Sequence, residues 1–358
     1  MNINSAADLL IDSAQLTESV LYLKLGECKL RLNSNSEALI KQLQHYFSHV
    51  VSAPADPDID IIAIERDAPQ LDIEFTDWKR EPGKTGRKDS YYDFPGGRLV
   101  RKVRTGMLFL QSEQSAIAAG PCEQYDNQVI NFINAQYMTW LQQRDWLICH
   151  ASGLVYKGQT LGIAGFSGGG KSTLMLHMMD NPDISYLTND RLFIRSHGDS
   201  NDAVGIPKLP RINPGTILHN PRLQALIPAQ QREALLNLPK EELWELEQKY
   251  DVLIDELYGP DRITPQAPLG AFLILNWQRD SSQPVKLDRV SLAERGDLLG
   301  TIMKSPGPFY QYADGSFFQD ETAFDESAYL DILGRVPVYE ASGGIDFGRL
   351  AQLSLELI

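Results

Sequence analysis

Cysteine is scarce in this sequence. The three present, Cys28, Cys122 and Cys149, show neither the paired spacing of a zinc ribbon nor a CxxC redox motif, so buried, reduced thiols are expected. Histidine is thin as well: of six, only His45 and His49 share the i, i+4 spacing of a helical metal pair. They lack the glutamate of HExxH and a nearby third ligand, which fits a solvated helix face better. No apolar run approaches the roughly 18 residues that cross a bilayer. The opening MNINSAADLL lacks the basic and apolar segments of a secretory leader, so a soluble, cytoplasmic protein without a membrane partner is expected. Positive charge is in short supply, with 33 Lys and Arg against 47 Asp and Glu and a net charge of −14. Bulk affinity for nucleic acid or anionic lipid, which draws on cations neutralising phosphates, is therefore not expected. Internal repeats and low-complexity tracts are absent too.

What is there is an ordinary globular composition, 43% hydrophobic and 22% charged over 358 residues, enough for a sizeable core and about two domains. Residues 1–125 read as a smaller α+β domain. ESVLYLKLGECKLRL suggests two short strands around Gly26, residues 36–50 carry Leu39, Ile40, Leu43 and Phe47 near helical spacing, and DIDIIAIE alternates as a strand. Residues 79–104 bring nine basic side chains (Lys79, Arg80, Lys84, Arg87, Lys88, Arg98, Arg101, Lys102, Arg104) against Glu81, Asp89 and Asp93. Either a solvated hairpin or a docking surface for an acidic or phosphorylated partner explains them. Residues 126–358 form the second domain. Its expected elements are an amphipathic helix over 126–143, a hairpin WLICHASGLVY–TLGIA turning at Lys157-Gly158, and a long helix from Pro239. That helix has Glu241 and Glu242 in its first turn and an apolar face through Leu243, Leu246, Tyr250, Leu253 and Leu257. AFLILN and Val336–Glu340 read as strands, and Asp346 as the cap of a closing helix.

Residues 165–172, GFSGGGKS, complete the pattern GxxxxGK[ST] between an apolar strand and a helical stretch, KSTLMLHMMD. A nucleoside triphosphate needs several backbone N–H groups facing one concavity, and glycine supplies the positive φ and close approach. Gly165, Phe166, Ser167, Gly168, Gly169, Gly170, Lys171, Ser172 and Thr173 are thus the candidate ATP cradle, with Lys171 on the phosphates and Ser172 a ligand of Mg²⁺. No NKxD motif of a GTPase and no LSGGQ motif of an ABC ATPase accompanies it, and AFLILN ends in Asn276 rather than an acid. The best downstream acid is Asp190 in YLTNDR. If Lys157-Gly158 is a two-residue loop, the hairpin register sets His150 across from Gly165; a core histidine is the alternative.

ICHASGLVY, GFSGGGKST and LTNDRL together resemble the HPr kinase/phosphorylase superfamily, and within it the HPr kinase-related bacterial kinases. The likeness covers mainly residues 147–191 and implies an α/β P-loop kinase domain of the HPr-kinase type. By this resemblance Asp190 matches the acid that takes the acceptor's proton, His150 the histidine beside the phosphates, Arg262 in YGPDRI an active-site arginine, and Asp202 a carboxylate that helps hold Mg²⁺. Asn189 stands where the family has the first aspartate of the pair, and GIPKLPRINPG replaces the family's GLGIINV-like run, which argues against HPr as substrate. The resemblance is compatible with a homo-oligomer. The expected function is an ATP- and Mg-dependent phosphotransferase acting on a hydroxyl, a Ser or Thr of a partner protein or a small molecule. The competing reading is a nucleotide-responsive binding module with little turnover, motivated by Asn189 and the missing acid after AFLILN.

Overall fold

The structure, a computed structural model, describes residues 1–358 apart from 81–84, 167, 240, 241, 244, 245, 247 and 279. The chain divides into two compact units. The first is Met1–Trp146 with Ser305–Phe324, the second Leu147–Lys304 with Asp325–Ile358. The first unit thus runs past the expected limit at residue 125 and also takes in a later segment, 305–324.

The first unit is built on one eight-stranded sheet. Its strands in chain order are β1 (Val20–Leu25), β2 (Cys28–Ser34), β3 (Ile59–Glu65), β4 (Thr76–Asp77), β5 (Asp89–Phe94), β6 (Gly97–Lys102), β7 (Leu108–Ser112) and β8 (Ala116–Gly120). Their spatial order is β1-β2-β3-β8-β7-β6-β5-β4, with β2–β3 and β3–β8 parallel and the other pairs antiparallel. In β2, Cys28, Leu30, Leu32 and Ser34 are buried while the residues between them are not, the period of two that a one-faced strand requires. The expected helix after it is α2 (Glu37–Tyr46), following α1 (Ile3–Ile11), and begins where Ser36 accepts the Leu39 N–H. The helix expected over 126–143 is α3 (Asp126–Gln142). It is buried nearly all round rather than on one stripe, and of its buried polar groups Asn134 donates to the Ile130 carbonyl and Gln136 to Gln111 of β7, while Asn134 Oδ1 and Trp140 Nε1 have no hydrogen-bond partner among the described residues.

The basic stretch 79–104 takes the hairpin form, as β5 and β6 turning at Pro95-Gly96. Arg98 is wholly buried: it grips both oxygens of Asp93, donates to the Pro308 and Phe318 carbonyls, and lies over the rings of Tyr91 and Phe317. Lys102 pairs with Asp89 and Arg87 with Asp77. Lys84 and Glu81 lie outside the described residues.

The second unit carries β9 (Leu147–Cys149), β10 (Ser152–Tyr156), β11 (Gln159–Gly165), β12 (Ile184–Thr188), β13 (Leu192–His197), β14 (Ser200–Gly205), β15 (Arg211–Ile212), β16 (Tyr250–Asp251), β17 (Gln266–Leu275), β18 (Lys286–Arg289) and β19 (Val338–Ser342). The main sheet runs β12-β10-β11-β17-β14-β13-β9, with β19 also on β17 and β18 outside β19. β17 joins the pieces: its first residues pair antiparallel with β14, and its later ones lie parallel to β11 and β19. Ala271–Leu275 is buried without a break, as expected of a strand covered on both faces.

The long helix expected from Pro239 does not form as one element. Tyr250 and Asp251 are a short strand on Arg211 and Ile212, with Arg211 paired to Asp251, and a separate helix spans Ile254–Tyr258. The backbone partner offered by 211–212 outweighs the helical periodicity there. Glu241 lies outside the described residues. Asp346 caps the closing helix, Phe347–Ser354, by accepting the Arg349 N–H.

Candidate functional site

The site begins where β11 ends. Gly165 sits at φ +149°, and a Cβ there would lie 2.7 Å from the Leu275 carbonyl oxygen. Gly170 sits at φ +87°, where a Cβ would meet the Phe347 ring at 2.8 Å. Both positions therefore demand glycine. Gly170 is the residue before α4 (Lys171–Met178), and no side chain caps that helix. Its first N–H groups are thus the orphan donors that make a helix N-terminus receptive to an anion. Lys171 Nζ donates to the Gly165 carbonyl at 3.0 Å, folding back over the loop. Trp277 Nε1 donates to the Gly169 carbonyl at 2.9 Å, and its ring meets Phe347 edge-on at 4.9 Å, so an indole and a phenyl ring brace the back of the loop. Thr173 is engaged with Thr216 at 2.9 Å, leaving Ser172 as the hydroxyl of that first turn able to meet a cation. Phe166 is 46% exposed on the loop; Ser167 lies outside the described residues.

The hairpin β10–β11 has the expected register, Ser152 opposite Ile163 through Tyr156 opposite Gln159. It stops short of placing His150 across from Gly165, because the chain leaves this ladder at His150-Ala151 and continues backwards as β9, which pairs with β13. His150 turns to Asp190 instead, its Nε2 3.3 Å from Oδ1. Asp190 follows β12, whose Thr188 pairs with Gly153, itself opposite Gly162. β11 and β12 therefore end on the same side of the sheet with β10 between them, two strand spacings or about 10 Å apart, and the glycine loop and Asp190 follow those ends. The neighbouring Asn189 is held through its carbonyl by the Ser152 hydroxyl.

Around the Asp190 carboxylate stand three basic groups: His150 on Oδ1, Lys304 on Oδ2 at 3.5 Å, and Arg191 at 3.9 Å. Burial acts to raise this carboxyl, but Lys304, His150 and Arg191 outweigh it and hold it well below the usual carboxylate range. The side chain remains 45% exposed, open to a partner from solution.

Of two further expected site residues, one is engaged elsewhere. Arg262 donates to four backbone carbonyls, those of Ile184, Tyr258, Met179 and Asn181, and so ties the chain after α4 to the start of β12. A guanidinium spent in this way supports the sheet edge and is not aimed at a phosphate. Asp202 lies on β14 between Arg195 and Pro268, three residues along the strand from Gly205, which pairs with Leu192 beside Asp190. Among the described residues no group of three or more His, Cys, Asp and Glu is arranged to hold a metal.

The acid missing after AFLILN has a counterpart on the next strand. Glu340 of β19 pairs with Ile274, accepts from Asn276 at 2.6 Å, and is gripped by Arg295 at 2.7 Å. Arg295 holds the Glu340 carboxyl below its ordinary range. Lys304, Trp277 and Phe347 are the residues that sequence reasoning passed over. Trp277 follows AFLILN directly, which was a usable signal; nothing local marks Lys304.

No family model and no curated protein matches the chain. Among solved structures it is similar to the HPr(Ser) kinase/phosphatase from Coxiella burnetii, at 14% identity over 59% of this chain and 87% of that one, with a TM-score of 0.30.

Proposed function

We propose that the protein is a phosphotransferase that moves the γ-phosphoryl group of ATP to a hydroxyl acceptor, in a Ser or Thr of a partner protein or in a small molecule. The observation that carries this reading is the common end of the sheet, where an anion-receptive glycine loop follows β11 and an open, ionised carboxylate follows β12, strands that stand about two strand spacings apart.

The glycine loop would take the phosphates on backbone N–H groups, and Lys171 would exchange the Gly165 carbonyl for phosphate oxygens. Glycines at 165 and 170 let the loop lie against the Leu275 carbonyl and the Phe347 ring, where a Cβ would collide, a close-packed turn of the kind that presents backbone N–H groups to a polyphosphate. Ser172 would be the protein ligand of Mg²⁺, which would supply neutralisation of the phosphate charge. Asp202 is left out of that set by its place on β14.

The acceptor oxygen forms a bond to the γ-phosphorus as the bond to the β–γ bridging oxygen breaks, and ADP leaves. The acceptor proton passes to Asp190. A carboxylate held at low pKa is a weak base, so this proton moves late and the main task of Asp190 is to orient the hydroxyl. His150, 3.3 Å from Oδ1 of the same carboxylate, would share that oxygen with the acceptor.

Label transfer tests the reading. Wild type and Asp190→Asn are incubated with ATP carrying a labelled γ-phosphate, Mg²⁺ and source-cell lysate, then separated into protein and small-molecule fractions. Label that disappears with Asp190→Asn supports a kinase and names the acceptor class. Nucleotide binding without any Asp190-dependent label favours the nucleotide-responsive module instead.

A further inference from the structure

Lys304 is the last residue of the second unit before the chain passes into the segment 305–324. Its side chain is only 12% exposed, and its ammonium lies 3.5 Å from Asp190 Oδ2. An ammonium so far removed from water needs a counter-charge, and the Asp190 carboxylate supplies it. The approach is fixed by the backbone. The helix Gly296–Ile302 ends with the Ile302 carbonyl accepting the His150 N–H at 2.7 Å, and the next residue, Met303, bridges to Cys149. Cys149 in turn pairs with Leu192 of β13, two residues after Asp190, and the Tyr329 hydroxyl donates to the Ile148 carbonyl. His150, Asp190 and Lys304 are thus carried by three segments bonded to one another within a few residues of each side chain.

We propose that Lys304 is a positioning residue for phosphoryl transfer: it pins Oδ2 of Asp190 so that Oδ1, shared with His150, faces the acceptor hydroxyl. This rests on the reading of Asp190 as the acceptor-orienting group. It also gives the site the cation that Arg262, committed to four carbonyls, does not provide. The charged and titratable groups facing the carboxylate are His150, Arg191 and Lys304. Arg191 is the more distant cation and comes from the adjoining residue, so Lys304 is the one whose contribution depends on the tertiary arrangement.

The test uses the full chain with Lys304→Gln, Lys304→Arg and Asp190→Asn. Titration is followed by NMR of isotope-labelled aspartate carboxyls, the Asp190 signal being assigned by its loss in Asp190→Asn. Lys304→Gln is expected to raise the Asp190 midpoint by about one pH unit or more, and Lys304→Arg to leave it near the wild-type value. Label transfer from ATP into lysate acceptors, run beside it, should fall about tenfold or more in Lys304→Gln and recover in Lys304→Arg, with the acid limb of the pH profile moving up in the glutamine variant. An unmoved Asp190 midpoint, or equal labelling by Lys304→Gln and wild type, overturns the role of Lys304. Retained labelling in Asp190→Asn overturns the reading of Asp190 itself, so the two failures are told apart. Because the arginine variant keeps the charge and much of the volume, a folding defect confined to the glutamine variant does not imitate its rescue.

Discussion

The hairpin β5–β6 of the first unit and the Asp190 cluster of the second both gather basic side chains around an aspartate, and they differ in how far those groups are committed. Arg98 is 0% exposed, bonds Asp93 at 2.5 and 2.8 Å, and spends another nitrogen on two carbonyls. The groups around Asp190 stand at 3.3 to 3.9 Å from a carboxylate that water still reaches. A short, bidentate pair whose guanidinium is wholly buried is a structural rivet; a longer-ranged one keeps a carboxylate charged while leaving an oxygen for something else. Density of basic residues in the sequence does not separate the two cases. Residues 79–104 are the richer stretch, yet it is the sparse one, with its lysine from residue 304, that has the geometry of a site.

The comparison can be broken at either end. Asp190→Asn should cut phosphoryl transfer about a thousandfold at a smaller cost in unfolding stability, about 1–2 kcal/mol for the lost counter-charge of Lys304, which labelled-ATP transfer and denaturant titration measure together. Arg98→Met should do the reverse. It leaves Asp93 without its partner and strips two carbonyls, so a loss of about 3 kcal/mol or more in unfolding free energy is expected. Arg262→Lys sits between these extremes: a lysine cannot reach four carbonyls with its three donors, and about 1–2 kcal/mol of stability should go, followed by thermal unfolding. Trp277→Phe removes the bond to the Gly169 carbonyl, and a loss of about fivefold in nucleotide affinity is expected from equilibrium binding. The smallest effect concerns pH. The Asp190 carboxyl is lowered in the folded state, so its contribution to stability is complete above about pH 4, the ordinary carboxylate range, and fades as pH falls through the depressed value. Asp190→Asn should therefore flatten the acid limb of the stability curve slightly, as seen by unfolding at stepped pH.

Much of the fold is legible along the chain because it is local. The turn at Lys157-Gly158 sets the register of β10 and β11 by itself, and Ser36 and Asp346 announce their helices. Where a distant segment competes, local pattern loses. Tyr250 and Asp251 carry helical periodicity but pair with Arg211 and Ile212. His150 continues an apolar run in sequence, yet the chain changes ladders there, and its side chain meets Asp190 rather than standing across from Gly165. The site shows the same division. The glycines and Lys171 can be read from a motif, since residues 165–172 are one contiguous turn, and Asp190 from the resemblance carried by LTNDRL. Arg262 and Lys304 cannot: one is removed from the site by four carbonyls and the other delivered to it by a single bridge between Cys149 and Met303. Neither arrangement leaves a trace in residue spacing.

The central claim is that Asp190 serves transfer and not the binding of nucleotide. It is tested most directly by measuring ATP binding by equilibrium dialysis and γ-phosphate transfer in one preparation, for wild type beside Asp190→Asn. Equal binding by both proteins, with transfer only by wild type, is the predicted result. Transfer that persists in Asp190→Asn, or binding by both with no transfer by either, would contradict it.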